Sequence, residues 1–370
     1  MKIAVIGAIV YDEIFTHDGA RRESFGGITY NIAALSSIVG EDAAICPIAN
    51  VAEDRWSDVV ELLARYPLVE MAGVARVPGK LTATRLVYTS PTWRDETVLH
   101  MMRPLTAERL AAARDCDAVL VNFVNGTEMD LSTFGDLRAK GRGYLHVDVH
   151  SKVARWDAQG KKEVVPFADW REWLGGAPPA GGAPPAGRVD AAQMNEFECE
   201  MIVGRKLREQ RDFVAAGAEI VAGGGAPPAR RCAACGPPIV LITLGPLGSV
   251  LVYDRGGLPR VGGAAAPRGS KGSPAAERDL RWVANPALAV AQVIDTTGCG
   301  DSFSAGFMWS YLQSGDPVKA NAAANIVAGV NCTVAGIGHL EAARGALDQI
   351  PTAFPDLGPK IMAGWPGEKV

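Results

Sequence analysis

The stretch VIDTTGCGDSFSAGF, residues 293–307, places two glycines directly in front of a helical pattern. Gly298 and Gly300 let the backbone approach a ligand closely, and the helix behind them begins with free N–H groups at the positive end of its dipole. This junction predicts an anion-binding site. It is not a P-loop, which needs G-x-x-x-x-G-K-[ST], and it is not G-x-G-x-x-G, because Phe303 stands where the third glycine belongs.

Asp301 lies at the start of this predicted helix. A carboxylate beside a bound phosphate is electrostatically unfavourable if binding is its only purpose. It is reasonable as a base that takes the proton from a hydroxyl attacking that phosphate. The alternative is that Asp301 only caps the helix, which is a common role for aspartate. The local sequence leaves both interpretations open.

Composition excludes several classes of function. The chain has 370 residues, a net charge of −4 and 48% hydrophobic residues, so it has no basic surface typical of nucleic-acid binding. No apolar run reaches the roughly 18 to 20 residues of a membrane span. The apolar N-terminus contains Asp12 and Glu13, which argues for a buried strand instead of a signal peptide. We therefore expect neither nucleic-acid nor membrane partners.

The seven cysteines are an odd number and are scattered along the chain, which is typical of a reducing cytoplasm. Cys232 and Cys235 form a single CxxC. Zinc requires four ligands, and this pair lies in a Gly/Pro/Ala-rich segment. We interpret the pair as incidental loop cysteines and the protein as cytoplasmic.

Short apolar runs alternate with helical patterns along most of the chain, which predicts βαβ units around a mostly parallel sheet. After residue 300 the pattern is helical. The predicted strands are KIAVIG, AAICPI, AVLVNF, YLHVDVH, VDAAQM, PIVLITLG and SVLVYD.

Two kinds of segment interrupt this alternation. Residues 81–102 predict a two-stranded excursion, which together with residues 10–25 would form a small sheet that caps a site as a lid; the alternative is an ordinary surface hairpin. Segments 175–187, 223–238 and 255–277 are rich in Ala, Gly and Pro. Such a composition cannot bury a core face, so we expect dispensable, mobile loop insertions in a single domain over residues 1–370.

The run D-T-T-G-C-G-D resembles the D-T-x-G-A-G-D signature of the ribokinase-like carbohydrate kinases (PfkB family), with Cys299 in place of the usual small residue. Further motifs follow in the family's order, so the resemblance extends over nearly the whole chain apart from the insertions. It implies a three-layer α/β/α sandwich with a small β lid. It also implies that Asp301 is the catalytic base and that Gly298, Cys299 and Gly300 hold the transferring phosphoryl group.

The resemblance assigns substrate contacts to the N-terminal half. Asp12 matches the family's substrate-binding aspartate, and GGITYNIA matches its glycine pair and asparagine, here Gly26, Gly27 and Asn31. A carboxylate accepts two hydroxyl hydrogen bonds, which suits a polyol.

The segment HVDVH, residues 146–150, has two interpretations. His146, Asp148 and His150 alternate, so on a strand they would share one face and could bind zinc or iron. Related kinases carry Asp-x-Asn at this point, which favours Asp148 and His150 as residues lining the substrate cleft.

The remaining motifs concern the phosphate donor. NEFE resembles the family's N-x-x-E element, in which Asn195 and Glu198 would hold magnesium through water. TLGPLG matches the nucleotide loop, and the resemblance to the helix that borders adenine favours Asn321 over Asn325. Asp295 and Thr297 match two elements of a potassium site. The nucleotide-loop residues are Thr243, Gly245 and Gly248.

The sequence thus predicts a cytoplasmic kinase that transfers phosphate from ATP, with Mg²⁺, to a hydroxyl of a sugar, nucleoside or related polyol. The partial match to a potassium site leaves activation by K⁺ open. The family allows a homodimer through the lid. One alternative is a non-catalytic sugar or nucleotide sensor on the same fold. Another is a dinucleotide-dependent oxidoreductase, suggested by Gly7 after the first strand, although the G-x-G of such proteins is missing.

Overall fold

The computed structural model describes residues 1–89, 94–175, 187–224, 236–261 and 278–370. The pair Cys232 and Cys235 lies outside these residues, as does most of the three Ala/Gly/Pro-rich segments. No helix among the described residues is long and apolar enough to cross a membrane.

The strands of the described residues fall into a large central sheet, a four-stranded sheet and a two-stranded hairpin. In chain order they are β1 (Lys2–Ile6), β2 (Ile9–Phe15), β3 (Arg21–Gly27), β4 (Ala44–Ala52), β5 (Val74–Val77), β6 (Ala83–Tyr88), β7 (Arg94–His100), β8 (Ala118–Asn122), β9 (Tyr144–Asp148), β10 (Ala154–Trp156), β11 (Lys162–Val164), β12 (Ala191–Asn195), β13 (Ile239–Thr243), β14 (Ser249–Asp254), β15 (Leu280–Asn285) and β16 (Glu368–Lys369).

The central sheet has ten strands in the order β16-β15-β14-β13-β12-β9-β8-β1-β4-β5. Neighbouring strands are parallel along the run β13-β12-β9-β8-β1-β4-β5. Strands β14, β15 and β16 continue the sheet antiparallel beyond β13. Each of the seven strands predicted from apolar runs is present. The predicted α/β class with a mostly parallel sheet is confirmed.

Helices cover both faces of this sheet, because the parallel strands are apolar on both sides. In β1, Ile3 and Val5 pack in one core, and Ala4 and Ile6 pack in the other. The helices are α1 (Ile28–Ile38), α2 (Trp56–Leu63), α3 (Leu131–Lys140), α4 (Trp170–Leu174), α5 (Glu196–Val203), α6 (Gln210–Val221), α7 (Cys299–Ser314), α8 (Pro317–Asn331), α9 (Ala346–Ala353) and α10 (Gly358–Met362). The first core includes α1, α2, α7 and α8, and the second includes α3, α4, α5 and α6.

A separate sheet with the order β3-β2-β6-β7 lies outside the central one. Strands β2 and β3 form an antiparallel hairpin, β6 pairs with β2 in parallel, and β7 returns antiparallel to β6. These strands come from the two sequence regions expected to form a small sheet. The separate sheet supplies part of the wall of the cavity described next.

Register at the carboxyl edge of the central sheet aligns polar residues. Asn122 at the end of β8 pairs with Asp148 at the end of β9, and Asp148 in turn pairs with Gln193 of β12. Asn195 pairs with Thr243 at the end of β13. In open parallel sheets, ligands bind outside this edge.

Candidate active site

A cavity of about 310 Å³ opens at the carboxyl edge of the parallel strands. Three parts of the chain line it: the four-stranded sheet, the strand ends and the start of α7. Its lining includes Asp12, Thr84, Leu86, Arg94, Glu96, Asp148, His150, Gln193, Asn195, Glu198, Thr243 and each residue from Thr296 to Asp301.

The start of α7 has no side-chain cap. Gly298 precedes the helix in a left-handed conformation with φ of 78°, and a Cβ atom there would overlap the ring of Tyr30. The N–H groups of Gly298 and Gly300 have no hydrogen-bond partner among the described residues, whereas that of Cys299 donates to Thr296 O at 3.3 Å. The predicted anion site is therefore open at Gly298 and Gly300, and the Cys299 N–H is already engaged.

Asp301 lies buried in the first turn of α7. Asn122 donates from Nδ2 to Asp301 Oδ1 at 2.6 Å, and Asn31 donates to the Asp301 backbone carbonyl at 2.8 Å. Burial raises the pKa of Asp301 to about 6, and the hydrogen bond from Asn122 opposes this shift. At neutral pH the carboxylate is therefore mostly ionised and has a pKa suited to a general base.

Asn122 links several site residues, and sequence reasoning missed it. It also donates to Asn31 Oδ1 at 2.9 Å, and its Oδ1 lies 3.1 Å from His150 Nδ1. Both ends of the Asn31 amide are thus engaged within the protein, and Asn31 is fully buried. The structure places Asn31 behind Asp301 instead of on the cavity wall, where the resemblance had placed it as a substrate contact.

Asp12 faces the cavity from β2, next to Gly26, where a Cβ atom would overlap the Asp12 carboxylate. Gly27 also lines the cavity, and its φ of 66° places it in the left-handed region before α1. Burial raises the pKa of Asp12 to about 7, while Arg94 lowers it. The structure brings Asp12 and the glycine pair together, and their role in substrate binding stays a prediction.

Arg94 and Glu96 reach the cavity from β7, and no sequence motif pointed to either of them. Arg94 donates to Glu96 Oε1 at 3.0 Å and to the Tyr88 hydroxyl at 2.8 Å, and Lys162 donates to Glu96 Oε2 at 2.7 Å. Burial opposes the charge of Glu96, but the two cations outweigh it and hold its pKa at about 2. This side of the cavity thus carries two cations around one carboxylate.

The HVDVH segment does not form one strand face. Strand β9 ends at Asp148, and His150 has a φ of 42° and begins a 3-10 turn. His146 is fully buried, and neither of its ring nitrogens has a hydrogen-bond partner among the described residues. Those residues contain no group of three or more His, Cys, Asp or Glu side chains that could hold a metal ion. The geometry favours cleft-lining roles for Asp148 and His150.

Asp148 is bound by its neighbours at the cavity wall. Ser304 of α7 donates to its Oδ2 at 2.8 Å, and Gln193 donates to the same atom at 3.2 Å. The Gln193 amide also donates to Gly300 O at 2.9 Å. Burial, together with the charges of Glu198 and Asp301, raises the pKa of Asp148 well above its usual range.

Asn195 and Glu198 form a complete capping box at the start of α5. The Asn195 backbone N–H donates to Glu198 Oε2 at 2.9 Å, its side chain donates to Oε1 at 2.7 Å, and the Glu198 N–H donates to Asn195 Oδ1 at 2.8 Å. Burial raises the pKa of Glu198 to about 7. Because each carboxylate oxygen already accepts one hydrogen bond, this pair fits a magnesium ion held mainly by phosphate oxygens and water.

The residues assigned to the nucleotide separate into two groups. Thr243 lines the cavity, and Gly245 and Gly248 shape the following loop with φ of 54° and 94°. Asn321 and Asn325 are buried in α8, where Asn321 accepts from Ser249 at 3.0 Å and Asn325 donates to Ser249 at 2.8 Å. Neither asparagine lines the cavity among the residues described.

The carboxylate of Asp295, predicted to belong to a potassium site, holds two loops together. Its Oδ1 accepts from the Thr297 N–H at 2.8 Å, and its Oδ2 accepts from the Gly336 N–H at 3.2 Å. Thr297 lines the cavity. The structure therefore assigns Asp295 a loop-bracing contact and leaves the potassium assignment a prediction.

Solved structures with the same fold include three relevant proteins. A pyrophosphate-dependent kinase of the ribokinase family, complexed with a pyrophosphate analogue and myo-inositol, is 18% identical over 92% of this chain and 98% of its own, with a TM-score of 0.63. The ribokinase of Arabidopsis thaliana, complexed with ribose and ATP, is 16% identical over 94% and 97%, with a TM-score of 0.61. The nucleoside kinase of Burkholderia thailandensis, complexed with inosine, is 16% identical over 95% and 98%, with a TM-score of 0.60.

Part of the sequence also matches a known protein family. The sequence matches none of the curated proteins. The family described as pfkB family carbohydrate kinase matches residues 265–343, which contain the D-T-T-G-C-G-D run. The chain therefore has the fold of the ribokinase-like kinases, and its residues 265–343 match the PfkB carbohydrate kinase family that its motifs resemble.

Proposed function

We propose that this protein is a kinase that transfers the terminal phosphoryl group of ATP to a hydroxyl of a sugar, nucleoside or related polyol. The observation that carries this proposal is the start of α7. There a buried carboxylate with a raised pKa, Asp301, lies in the same turn as the unpaired N–H groups of Gly298 and Gly300. A base and an anion-binding site thus border one cavity.

In the proposed reaction, the acceptor hydroxyl lies against Asp301 Oδ2, since Oδ1 is held by Asn122. Asp301 takes the hydroxyl proton as the oxygen attacks the phosphorus, and the bond to the leaving diphosphate breaks in line. The N–H groups of Gly298 and Gly300 hold the charge on the transferring group. A magnesium ion, when bound near Asn195 and Glu198, neutralises charge on the phosphates.

The acceptor is proposed to carry several hydroxyl groups, because the cavity wall is rich in acceptor atoms. The carboxyl oxygens of Asp12 and Asp148 can each take hydrogen bonds from hydroxyls, and the neutral ring of His150 offers a nitrogen. Arg94 supplies N–H donors on the same wall. This mixture suits a polyol better than an apolar ligand.

The donor is proposed to be ATP because exposed apolar side chains lie on loops next to the phosphate site. Leu247 is 76% exposed, and Val293 and Ile294 are 57% and 56% exposed. In the proposed complex the flat face of adenine packs against these side chains and removes apolar surface from water. Inorganic pyrophosphate offers no such face and is the competing donor.

The test is an acceptor panel of sugars, inositols and nucleosides, assayed with ATP and separately with pyrophosphate. The proposal expects ADP formation and a phosphorylated acceptor, with Asp301→Asn as the control. Turnover with pyrophosphate alone would replace the donor in this proposal. Tight acceptor binding without turnover in either arm would favour the sensor.

Two finer predictions accompany the proposal. Exchanging potassium for sodium at constant ionic strength tests whether the loop around Asp295 and Thr297 supports activation by potassium. Light scattering on the full chain tests the homodimer through the four-stranded sheet.

A further inference from the structure

Two cysteines meet at the start of α7. Cys299 is the first residue of that helix, and its sulfur lies 3.1 Å from the sulfur of Cys332, which directly follows α8. Both are half-buried, whereas Cys46, Cys116 and Cys199 are buried. Among the cysteines that the structure describes, these two are the partly exposed ones, and Cys299 lines the cavity.

The two sulfur atoms share one hydrogen bond, in which either thiol can be the donor. A thiolate is the nucleophile in cysteine oxidation. Either sulfur can therefore react first, and the other lies 3.1 Å away, in position to complete a disulfide.

The segment around Cys332 already holds the phosphate loop. The Cys332 carbonyl accepts from the Ile294 N–H at 2.7 Å and the Asp295 N–H at 3.2 Å. The side chain of Asn331 donates to Thr297 O at 2.9 Å and to the Cys299 sulfur at 3.4 Å. A displacement of the Cys332 backbone, as a disulfide would cause, is thus transmitted to the loop that precedes α7, whereas a change of the side chain alone leaves these carbonyl contacts in place.

We propose that Cys299 and Cys332 form a reversible oxidation site in which a peroxide converts the two thiols to a disulfide. The thiolate of one cysteine attacks one oxygen of hydrogen peroxide and becomes a sulfenic acid, and with one proton the other oxygen leaves as water. The sulfur of the other cysteine then attacks the sulfenic sulfur, its proton joins the leaving hydroxide, and a second water is released. Two thiols and one peroxide thus give one disulfide and two waters.

The bond alters the phosphate site. A disulfide requires sulfur atoms about 2.05 Å apart, so Cys299 and Cys332 must approach each other from their present 3.1 Å. Cys299 lies between Gly298 and Gly300, which both line the cavity and whose N–H groups have no partner among the described residues. A shift of about 1 Å in a reacting site can cost about 10²-fold in rate. This consequence rests on the proposed kinase function, but formation of the bond does not.

The bond is tested by mass spectrometry. Trypsin separates the two cysteines, because Cys299 lies in peptide 282–319 and Cys332 in peptide 320–344, each with a single cysteine. After hydrogen peroxide treatment and alkylation, we expect the two peptides linked at their summed mass less two hydrogens, and separated again by dithiothreitol. If both peptides stay alkylated, or Cys332 appears as sulfinic acid, the proposal is overturned.

Activity tests the consequence. Oxidised wild type should lose at least 10-fold in rate and recover with dithiothreitol, while Cys332→Ala should keep wild-type activity and resist peroxide. Cys46→Ala, which alters a buried cysteine away from the cavity, should remain as sensitive as wild type. A linked enzyme with unchanged activity would overturn the inhibitory role. If no acceptor is found, the linkage result still decides whether the oxidation site exists.

Discussion

Helices α5 and α7 both begin at the cavity, and their first turns are built in opposite ways. At α5, Asn195 and Glu198 satisfy each other's polar groups in a complete capping box. At α7, Gly298 provides no side-chain cap, and the carboxylate of Asp301 accepts from Asn122 of a different element. One helix start is closed by its own residues, and the other is left open.

The two helix starts differ in the local stability that their first turns provide. A capping residue typically contributes about 0.5–2 kcal/mol, which α7 forgoes. Its buried carboxylate adds a further cost, visible as the raised pKa of Asp301. Departures from local stability of this kind concentrate at functional sites. We therefore expect substitutions at α7 to affect the reaction, and substitutions at α5 to affect chiefly the helix and the metal.

The largest effect is expected from Asp301→Asn, which removes the base and keeps the size of the side chain. The kcat should fall by about 10² to 10⁴, as is typical of a lost general base. The circular dichroism spectrum should be unchanged and the melting temperature at pH 7 should not fall, because the substitution removes a buried charge that costs stability. A folded variant with near wild-type kcat would reduce Asp301 to a helix residue without a catalytic role.

The pH dependence sharpens the same point. Since the base acts when deprotonated, and burial raises the pKa of Asp301 to about 6, the wild-type kcat should be constant well above pH 6 and fall tenfold per pH unit well below it. Residual activity of Asp301→Asn should lack this inflection. The fold must be shown intact across the range by circular dichroism.

The next largest effect is expected from Gly298→Ala. A left-handed φ of 78° and the ring of Tyr30 both oppose a Cβ atom at this position. Backbone displacement at the phosphate site should lower the rate by about 10²-fold. The matched control is Gly204→Ala at the other end of α5, where φ is 69° and no atom lies within 4 Å of the added Cβ. It should cost about 1–2 kcal/mol of stability and leave the kinetics unchanged; equal kinetic losses in both variants would contradict the open-site interpretation.

Asp12→Asn should act on binding instead of chemistry. A hydrogen bond to a charged group contributes about 1.5–3 kcal/mol, so the KM for the acceptor should rise about 10- to 100-fold. The KM for ATP and the kcat should change little, because uniform binding appears in KM. Steady-state kinetics with each substrate varied in turn provide the measurement. A fall in kcat of the size seen for Asp301→Asn would place Asp12 in the chemical step.

The smallest effect is expected from Glu198→Gln. The glutamine side chain can accept with only one oxygen, so one bond of the capping box to Asn195 is weakened. The magnesium concentration for half-maximal rate should rise about 10-fold, as for other groups that act on a metal through water, with kcat nearly restored at saturation. Magnesium titrations of the variant and wild type that overlay would remove Glu198 from metal binding.

The local sequence was sufficient to predict those features whose residues lie within one segment of the chain. The glycines and Asp301 are contiguous, and the apolar runs that predicted the parallel strands are equally local. The motif N-x-x-E is also the pattern of a capping box, so the bonding between Asn195 and Glu198 was legible in the sequence. The strand alternation expected through His150 failed because a positive φ turns the chain just after Asp148.

Contacts between distant segments could not be predicted in this way. Asn122 and Gln193 reach Asp301 and Gly300 only because β8, β9 and β12 end in register. The position of Arg94 depends on how β7 pairs with β6. A single sequence records neither strand register nor sheet curvature. Asn31 was predicted as a substrate contact, but its hydrogen bonds with Asn122 and Asp301 turn it into the protein interior.

The hydrogen bonds around Asn122 determine which ring nitrogen of His150, at the cavity wall, carries the proton. Its NH₂ group faces two acceptors, Asp301 Oδ1 and Asn31 Oδ1, so its oxygen must face His150 Nδ1. Burial lowers the pKa of His150 to about 4, so at neutral pH the ring is uncharged and carries its single proton on Nδ1. The other nitrogen, Nε2, then has only a lone pair to offer. In the proposed kinase, an acceptor hydroxyl placed at Nε2 would donate to that lone pair, whereas a deoxy or keto analogue would leave it unmatched.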